Sequence, residues 1–195
     1  YAMVSEMDEQ VGRILEALDQ SGLRKNTLII FAGDNGLAVG QHGLLGKQNL
    51  YEHSIRVPLI FAGPGVPPKK RYEGYMYLSD ISPTILSYLG LDIPASMEAQ
   101  SHNTIFYTPE IRLRSSIYNL YSSYMRSLKS HDHYKLILYH VKGQKTVQLF
   151  NLDKDPWEKK NLATIPGFLP KVVELKRELE LRMHSGHDPL SIGDF

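Results

Sequence analysis

The sequence contains no cysteine. That absence excludes disulfides, thiolate metal sites and a cysteine nucleophile among these residues. It leaves the compartment open, since cysteine-free chains occur in both redox environments. Charge excess is almost absent too: 22 Lys+Arg against 21 Asp+Glu give a net charge of +1. A balance so near neutral gives no case for a nucleic-acid binder driven by bulk charge. Long apolar runs are also missing. The longest, Leu28–Ala32 and Val57–Ala62, fall far short of the ~18 residues of a membrane span. No initiator Met and no signal-like segment opens the chain, which starts at Tyr1 and runs straight into a helical pattern. The remaining composition is ordinary globular, 42% hydrophobic and 22% charged over 195 residues, enough for one domain or a domain and a half.

What is present is clear periodicity. Val4, Met7, Val11, Leu15 and Leu18 recur at helical spacing and predict a helix from Val4 to Gln20, stopped at Ser21-Gly22. Thr27–Ala32 and Val57–Ala62 are short apolar runs without alternation. Such runs predict strands buried on both faces, here neighbouring or near-neighbouring parallel strands of one mixed sheet. Gly36–Asn49 reads as a glycine-rich loop and Leu50–Ile55 as a short helix or turn. Ile81–Leu89 predicts a helix with Pro83 in its first turn, capped by Asp80 or Ser82 and closed by Gly90. This order of elements indicates α/β layering. After Pro94 the character changes. Ser115–Tyr118, Tyr124–Lys129, Lys135–His140 and Gln148–Asn151 are strand-like, with a hairpin turn at Gly143-Gln144 and a closing helix at Leu169–Met183. The fold class is therefore α/β: residues 1–94 form part of a mixed sheet with flanking helices, and residues 95–195 form a small α+β subdomain of antiparallel sheet plus one helix.

The stretch from Asp34 to Pro58 carries the candidate chemistry. Asp34-Asn35 lies just past the carboxyl end of a strand, where open α/β sheets bind ligands. A carboxylate beside a carboxamide offers hard oxygens that suit Ca²⁺ or Mg²⁺, although Asp-Asn-Gly is equally a turn tripeptide. Gly40-Gln41-His42-Gly43-Leu44-Leu45-Gly46-Lys47 follows. Its glycines permit close backbone approach to a ligand. Lys47 offers positive charge to a tetrahedral anion, and His42 offers a hydrogen bond to that anion or to a leaving group. Taken singly, each is as well read as a solvated loop side chain. Glu52 and Arg56 stand four residues apart and are expected to pair as structural support on a helical turn.

The spaced set Asp34-Asn35-Gly36, Gly40-x-His42-Gly43, Gly46-Lys47, Tyr51-Glu52 and Arg56-Val57-Pro58-Leu59 resembles the sulfatase family of the alkaline-phosphatase-like superfamily. So do Asp8 to Thr27 upstream, and Asp80-x-x-Pro83-Thr84, Leu89-Gly90, Lys135-Leu136, Leu149-Phe150-Asn151-Leu152 and Asp155-Pro156-x-Glu158-x-x-Asn161-Leu162 downstream. The likeness is weakest from Ala95 to Arg114. It implies an alkaline-phosphatase-like mixed sheet over the first part of the chain. It also implies that Asp34 and Asn35 are metal ligands, for Ca²⁺ ahead of Mg²⁺. Lys47 would bind the sulfate group, and His42 would lie by the substrate. The implied reaction is hydrolysis of a sulfate ester, of a small molecule or carbohydrate, by a formylglycine hydrate. The implied compartment is periplasmic or secreted.

The departures are as informative. The family's nucleophile arises from Cys or Ser in a C/S-x-P-x-R motif, which no part of this sequence contains. Its first acidic metal pair has no counterpart before Asp34. The expectation is a C-terminal portion of a longer enzyme, inactive alone, whose N-terminal segment supplies the nucleophile. Phosphodiesterases and phosphonate hydrolases of the same superfamily are an alternative, though they tend to carry Asp-His where this chain has Asp34-Asn35. A non-catalytic relative is another. Substrate specificity is expected in second-half loops, with His102, Tyr107, Arg112 and Arg114 as candidates and packing or surface roles for any one of them. Trp157 is read as a packing residue.

Overall fold

A computed structural model describes residues 1–195. In chain order its regular elements are α1 (Ala2–Gln20), β1 (Ile29–Ala32), β2 (Ala38–Val39), β3 (Leu45–Gly46), α2 (Glu52–Ile55), β4 (Leu59–Ala62), α3 (Ile81–Tyr88), β5 (Ser116–Tyr121), β6 (Met125–Ser130), β7 (Tyr134–Val141), β8 (Gln144–Asn151) and α4 (Leu169–Ser185). No helix is long and apolar enough to cross a membrane.

In the first half, α1 ends where expected: Gly22, at φ 70°, takes the left-handed conformation that L side chains resist. β1 pairs with β4, and the pairing is antiparallel, Ile29 opposite Ala62 and Ala32 opposite Leu59. This corrects the expected parallel arrangement. It also corrects the expected burial on both faces. These two strands have no third neighbour in the chain, so alternate residues of β4 face outward, and Ile60 is 57% exposed. Between them the chain folds back through a tiny β2–β3 ladder, Ala38 opposite Gly46, within the expected glycine loop. Asp80 occupies the N-cap position of α3, but its carboxylate turns to the Tyr77 and Gln100 N–H groups and to Arg114 instead of capping the first turn, and Gly90 closes the helix at φ 71°.

The second half is an antiparallel meander, β5-β6-β7-β8. Side chains alternate across a strand, so each face of this sheet collects its own core. One face, with Leu128, Leu136, Leu138 and Leu149, packs against Val172, Leu175, Leu179 and Met183 of α4. The opposite face, with Met125, Ile137 and Phe150, packs against Leu50 and Tyr51. The loop that leads into α2 is thus pinned to the far sheet by buried apolar contact. Each fully buried Leu or Phe removed from water there contributes about 1.5–3 kcal/mol.

Candidate functional site

Asp34 and Asn35 follow β1 directly, and their placement is fixed by backbone. The Gly33 N–H donates to Pro58 O at 3.2 Å and the Gly36 N–H to Ser54 O at 2.9 Å. Gly36 is obligatory: a Cβ there would lie 1.9 Å from His53 O. Asp34 accepts the Asn35 N–H at 2.8 Å, and Asn35 donates its side-chain amide to Gly36 O at 3.0 Å. One Asp34 carboxylate oxygen and the Asn35 amide oxygen remain without a partner in the chain, which is the donor set a hard divalent cation accepts. Two oxygens do not complete such a site, and the chain contains no cluster of three His, Asp or Glu able to hold a metal.

Lys47 comes off the end of β3 in a tight turn, its carbonyl accepting the Asn49 N–H at 2.8 Å. Its ammonium forms no ion pair in the chain. Asp34, Asn35 and Lys47 line a single open cleft of about 1360 Å³. His42 does not line that cleft. It sits in the left-handed region at φ 55° with its ring stacked on Tyr51, centroids 4.0 Å apart and planes 3° apart. Its Nε2–H donates to Trp157 O at 3.1 Å. The structure therefore places three of the four expected site residues on one extended cleft and holds the fourth beside Trp157.

A charged network supports this loop from below. Lys129 and Lys135 stand directly opposite each other on β6 and β7. Like charges so placed repel. Glu52, the first residue of α2, bridges the two: Lys129 Nζ donates to Oε2 at 2.9 Å and Lys135 Nζ to Oε1 at 3.0 Å. Burial alone would raise the Glu52 pKa, but the two ammoniums overcome it and hold the group down at about 2. Glu158 accepts the Glu52 N–H at 2.7 Å, capping α2, and lies 2.8 Å from Lys135 Nζ without hydrogen-bond alignment. Burial pushes the Glu158 carboxyl above its ordinary value. The expected Glu52–Arg56 pair does not form, because both Glu52 oxygens are taken by these lysines.

The downstream motifs prove to be fasteners. Asn161 accepts the Leu149 N–H at 3.0 Å and donates to Val147 O at 3.1 Å, stitching Asp155-Pro156-x-Glu158-x-x-Asn161 to β8. Asp80 is fully buried and grips Arg114 through both carboxylate oxygens, at 2.7 and 2.9 Å. His102, also fully buried, lies 3.3 Å from the same carboxylate. Of the proposed specificity residues, His102 and Arg114 are thus structural, while Tyr107 is 71% exposed. Trp157 is not a packing residue: it is 64% exposed. Sequence reasoning gave Lys129 and Lys135 no role and expected Arg56 to be paired. The available signal was one lysine in each of two adjacent strand-like runs, together with a motif glutamate.

The model of the sulfatase family matches residues 1–91. The chain is 28% identical over 197 residues to arylsulfatase K of Homo sapiens, an alignment covering 95% of this chain and 35% of that protein. It is 32% identical over 175 residues to a sulfatase of Formosa agariphila, covering 90% of this chain and 34% of that one. The chain thus spans about a third of the length of these relatives. A solved structure bound to its substrate D-glucosamine-2-N,6-O-disulfate superposes with a TM-score of 0.87 at 24% identity, over 97% of this chain and 40% of that one. The phosphonate monoester hydrolase of Agrobacterium radiobacter superposes at 0.78 with 24% identity, over 95% and 40%. At these identities the two superpositions show a shared fold. From the spaced loop motif, the family match and the relatives together, the chain belongs to the sulfatase family.

Proposed function

We propose that this chain is the portion of a sulfuric ester hydrolase that supplies half of a divalent-cation site and a sulfate-binding lysine. The observation that carries the reading is that Asp34, Asn35 and Lys47 line one cleft at the end of β1. Asp34 and Asn35 would hold Ca²⁺ ahead of Mg²⁺ through their unpartnered oxygens, with the further ligands coming from outside these residues. A cation bound there would withdraw charge from the sulfate oxygens. Lys47 would bind a sulfate oxygen and stabilise the leaving oxygen as negative charge develops on it, an effect larger in the transition state than in the ground state. His42, held by Tyr51 and the Trp157 carbonyl outside that cleft, is given no part in this reading. The nucleophile would come from a segment beyond these residues, as a formylglycine, so turnover by these residues alone is not expected.

The test is Asp34→Ala in the native full-length protein. Calcium binding by titration calorimetry and hydrolysis of an aryl sulfate should both disappear. Undiminished activity in metal-free buffer would refute the reading. A second reading, phosphonate or phosphodiester hydrolysis, is favoured by the shared fold with a phosphonate monoester hydrolase. Parallel assays with aryl sulfate and aryl phosphonate separate the two, and turnover of neither would point to a non-catalytic relative.

A further inference from the structure

Asn49 stands two residues beyond Lys47 and is only 6% exposed. Its backbone N–H donates to Lys47 O at 2.8 Å, an i to i+2 bond that closes a three-residue turn centred on Gln48. Gln48 braces the same turn, its Oε1 accepting the Lys47 N–H at 3.2 Å. The Asn49 side chain reaches forward instead. Its Oδ1 accepts the Tyr51 N–H at 3.1 Å, an Asx turn that leads the chain into α2. The next two residues, Leu50 and Tyr51, are buried against the β5–β8 sheet. Asn49 is thus held from both directions, by its backbone to Lys47 and by its side chain to a segment locked in a core.

The bond to Tyr51 decides which way the carboxamide faces. A backbone N–H is a donor, so the atom that meets it is the carboxamide oxygen, and the nitrogen is turned away. No group of the chain accepts from Asn49 Nδ2, and that nitrogen is not sealed inside the protein, because Asn49 lines the same cleft as Lys47. Two N–H donors left unused on so enclosed a side chain are costly unless something in the cleft takes them. Water can serve there until a better acceptor displaces it. Lys47, at the other end of the same turn, selects that acceptor: an ammonium with no ion pair draws in an anion. The two groups differ in kind. Lys47 brings a mobile point charge on a flexible stem, whereas the Asn49 amide is neutral and fixed in direction. Leaving one tight turn together, they can bind different oxygens of a single tetrahedral anion.

We infer that Asn49 is a substrate-binding residue whose Nδ2–H donates to a non-bridging oxygen of the sulfate group held by Lys47. This rests on the sulfatase reading for the identity of the anion. A non-bridging oxygen is charged in the bound ester as well as in the transition state, so the bond acts on binding more than on turnover.

The test uses the native full-length protein with calcium present and two variants that keep an oxygen for the Tyr51 N–H, Asn49→Ser and Asn49→Asp. Inorganic sulfate is the probe, titrated by calorimetry, and hydrolysis of an aryl sulfate is measured alongside. In Asn49→Ser the sulfate Kd and the KM should each rise about 10-fold, with kcat within about 3-fold and the thermal midpoint retained. Asn49→Asp should lose more, since its carboxylate repels the anion. In wild type labelled with ¹⁵N-asparagine, the assigned Asn49 side-chain amide signals should shift on adding sulfate. If Asn49 serves only to cap the turn, both variants bind sulfate as wild type does, and that result overturns the inference. A loss confined to Asn49→Asp overturns it too, as charge repulsion alone. Should either variant unfold, the amide signals decide: a shift upholds the contact and its absence overturns it. Failure of the wild type to cleave any sulfate ester would defeat the sulfatase reading alone, because the titration and the amide shift need no turnover.

Discussion

Replacing Glu52 by Gln tests the network beneath the site, and its size follows from the geometry. Glu52 stands 2.9 and 3.0 Å from two lysine nitrogens, and Lys135 has no exposed surface. At an effective dielectric near 20, a pair of unit charges 3 Å apart attracts by about 5–6 kcal/mol before desolvation is counted. Breaking such a buried pair costs about 3–5 kcal/mol, because an uncompensated charge stays behind. The depressed pKa points the same way. A drop from 4.5 to about 2 corresponds to about 3 kcal/mol of preference for the ionised, folded form. The two routes agree on a loss of about 3–4 kcal/mol. With a urea slope of about 2 kcal/mol/M, the unfolding midpoint followed by far-UV circular dichroism should fall by about 1.5–2 M.

Because the folded-state pKa is depressed, this contribution is fully present above pH 4.5 and is lost as pH falls toward 2. The stability curves of wild type and Glu52→Gln should therefore converge over that interval. Glu158 acts in the opposite sense. Its raised value makes its ionisation unfavourable to folding as pH rises. Adding Lys135→Met to Glu52→Gln removes one of the two opposed lysines and should recover part of the loss. A midpoint shift below 0.5 M, or a second full loss on adding Lys135→Met, would refute the account of a charge-bridging role.

Two further outcomes are expected. Lys47→Ala in the native full-length protein should lower kcat/KM by roughly 10²–10³ for sulfate esters with poor leaving groups, by analogy with removal of one oxyanion donor, and by less for aryl sulfates. An equal loss across leaving groups would mean that Lys47 binds sulfate alike in ground and transition states. Gly36→Ala should abolish calcium binding measured by calorimetry while leaving β5–β8 folded by far-UV circular dichroism, since its Cβ would meet His53 O at 1.9 Å and the turn beside Asn35 must shift. Retained affinity would show that the turn is not what orients the pair.

Local signals were legible in the sequence wherever one side chain or one period decides the structure. The helical spacing of Leu175, Leu179 and Met183 located α4, and the left-handed glycines 22 and 90 ended α1 and α3 as expected. The alternating strands of the meander were found to within a few residues. Strand direction was not legible. Ile29–Ala32 and Leu59–Ala62 are four-residue runs, and the long loop between them allows either polarity, so apolar content alone misread an antiparallel pair as parallel. The Glu52–Arg56 pairing failed for a related reason. A local i,i+4 partner lost to two lysines from strands more than seventy residues away. Asp34, Asn35 and Lys47 were nominated through the family resemblance and line one cleft in the structure, whereas the unpaired state of Arg56 became visible only when the structure showed where Glu52 goes.

The attachment of the loop preceding α2 to the far sheet means that exchange of residues 95–195 between relatives is not a modular operation. Leu50 and Tyr51 bury themselves against Met125, Ile137 and Phe150, while Glu52 needs cations at 129 and 135 and a carboxylate at 158. A chimera whose donor has a neutral residue at 135 would inherit a half-buried acid with a single remaining counter-ion, just beyond the turn that carries Lys47. These positions form one inheritance unit although they are scattered over three segments of the chain. Substitutions in the seemingly peripheral 155–161 loop are accordingly expected to reach the turn that carries Lys47.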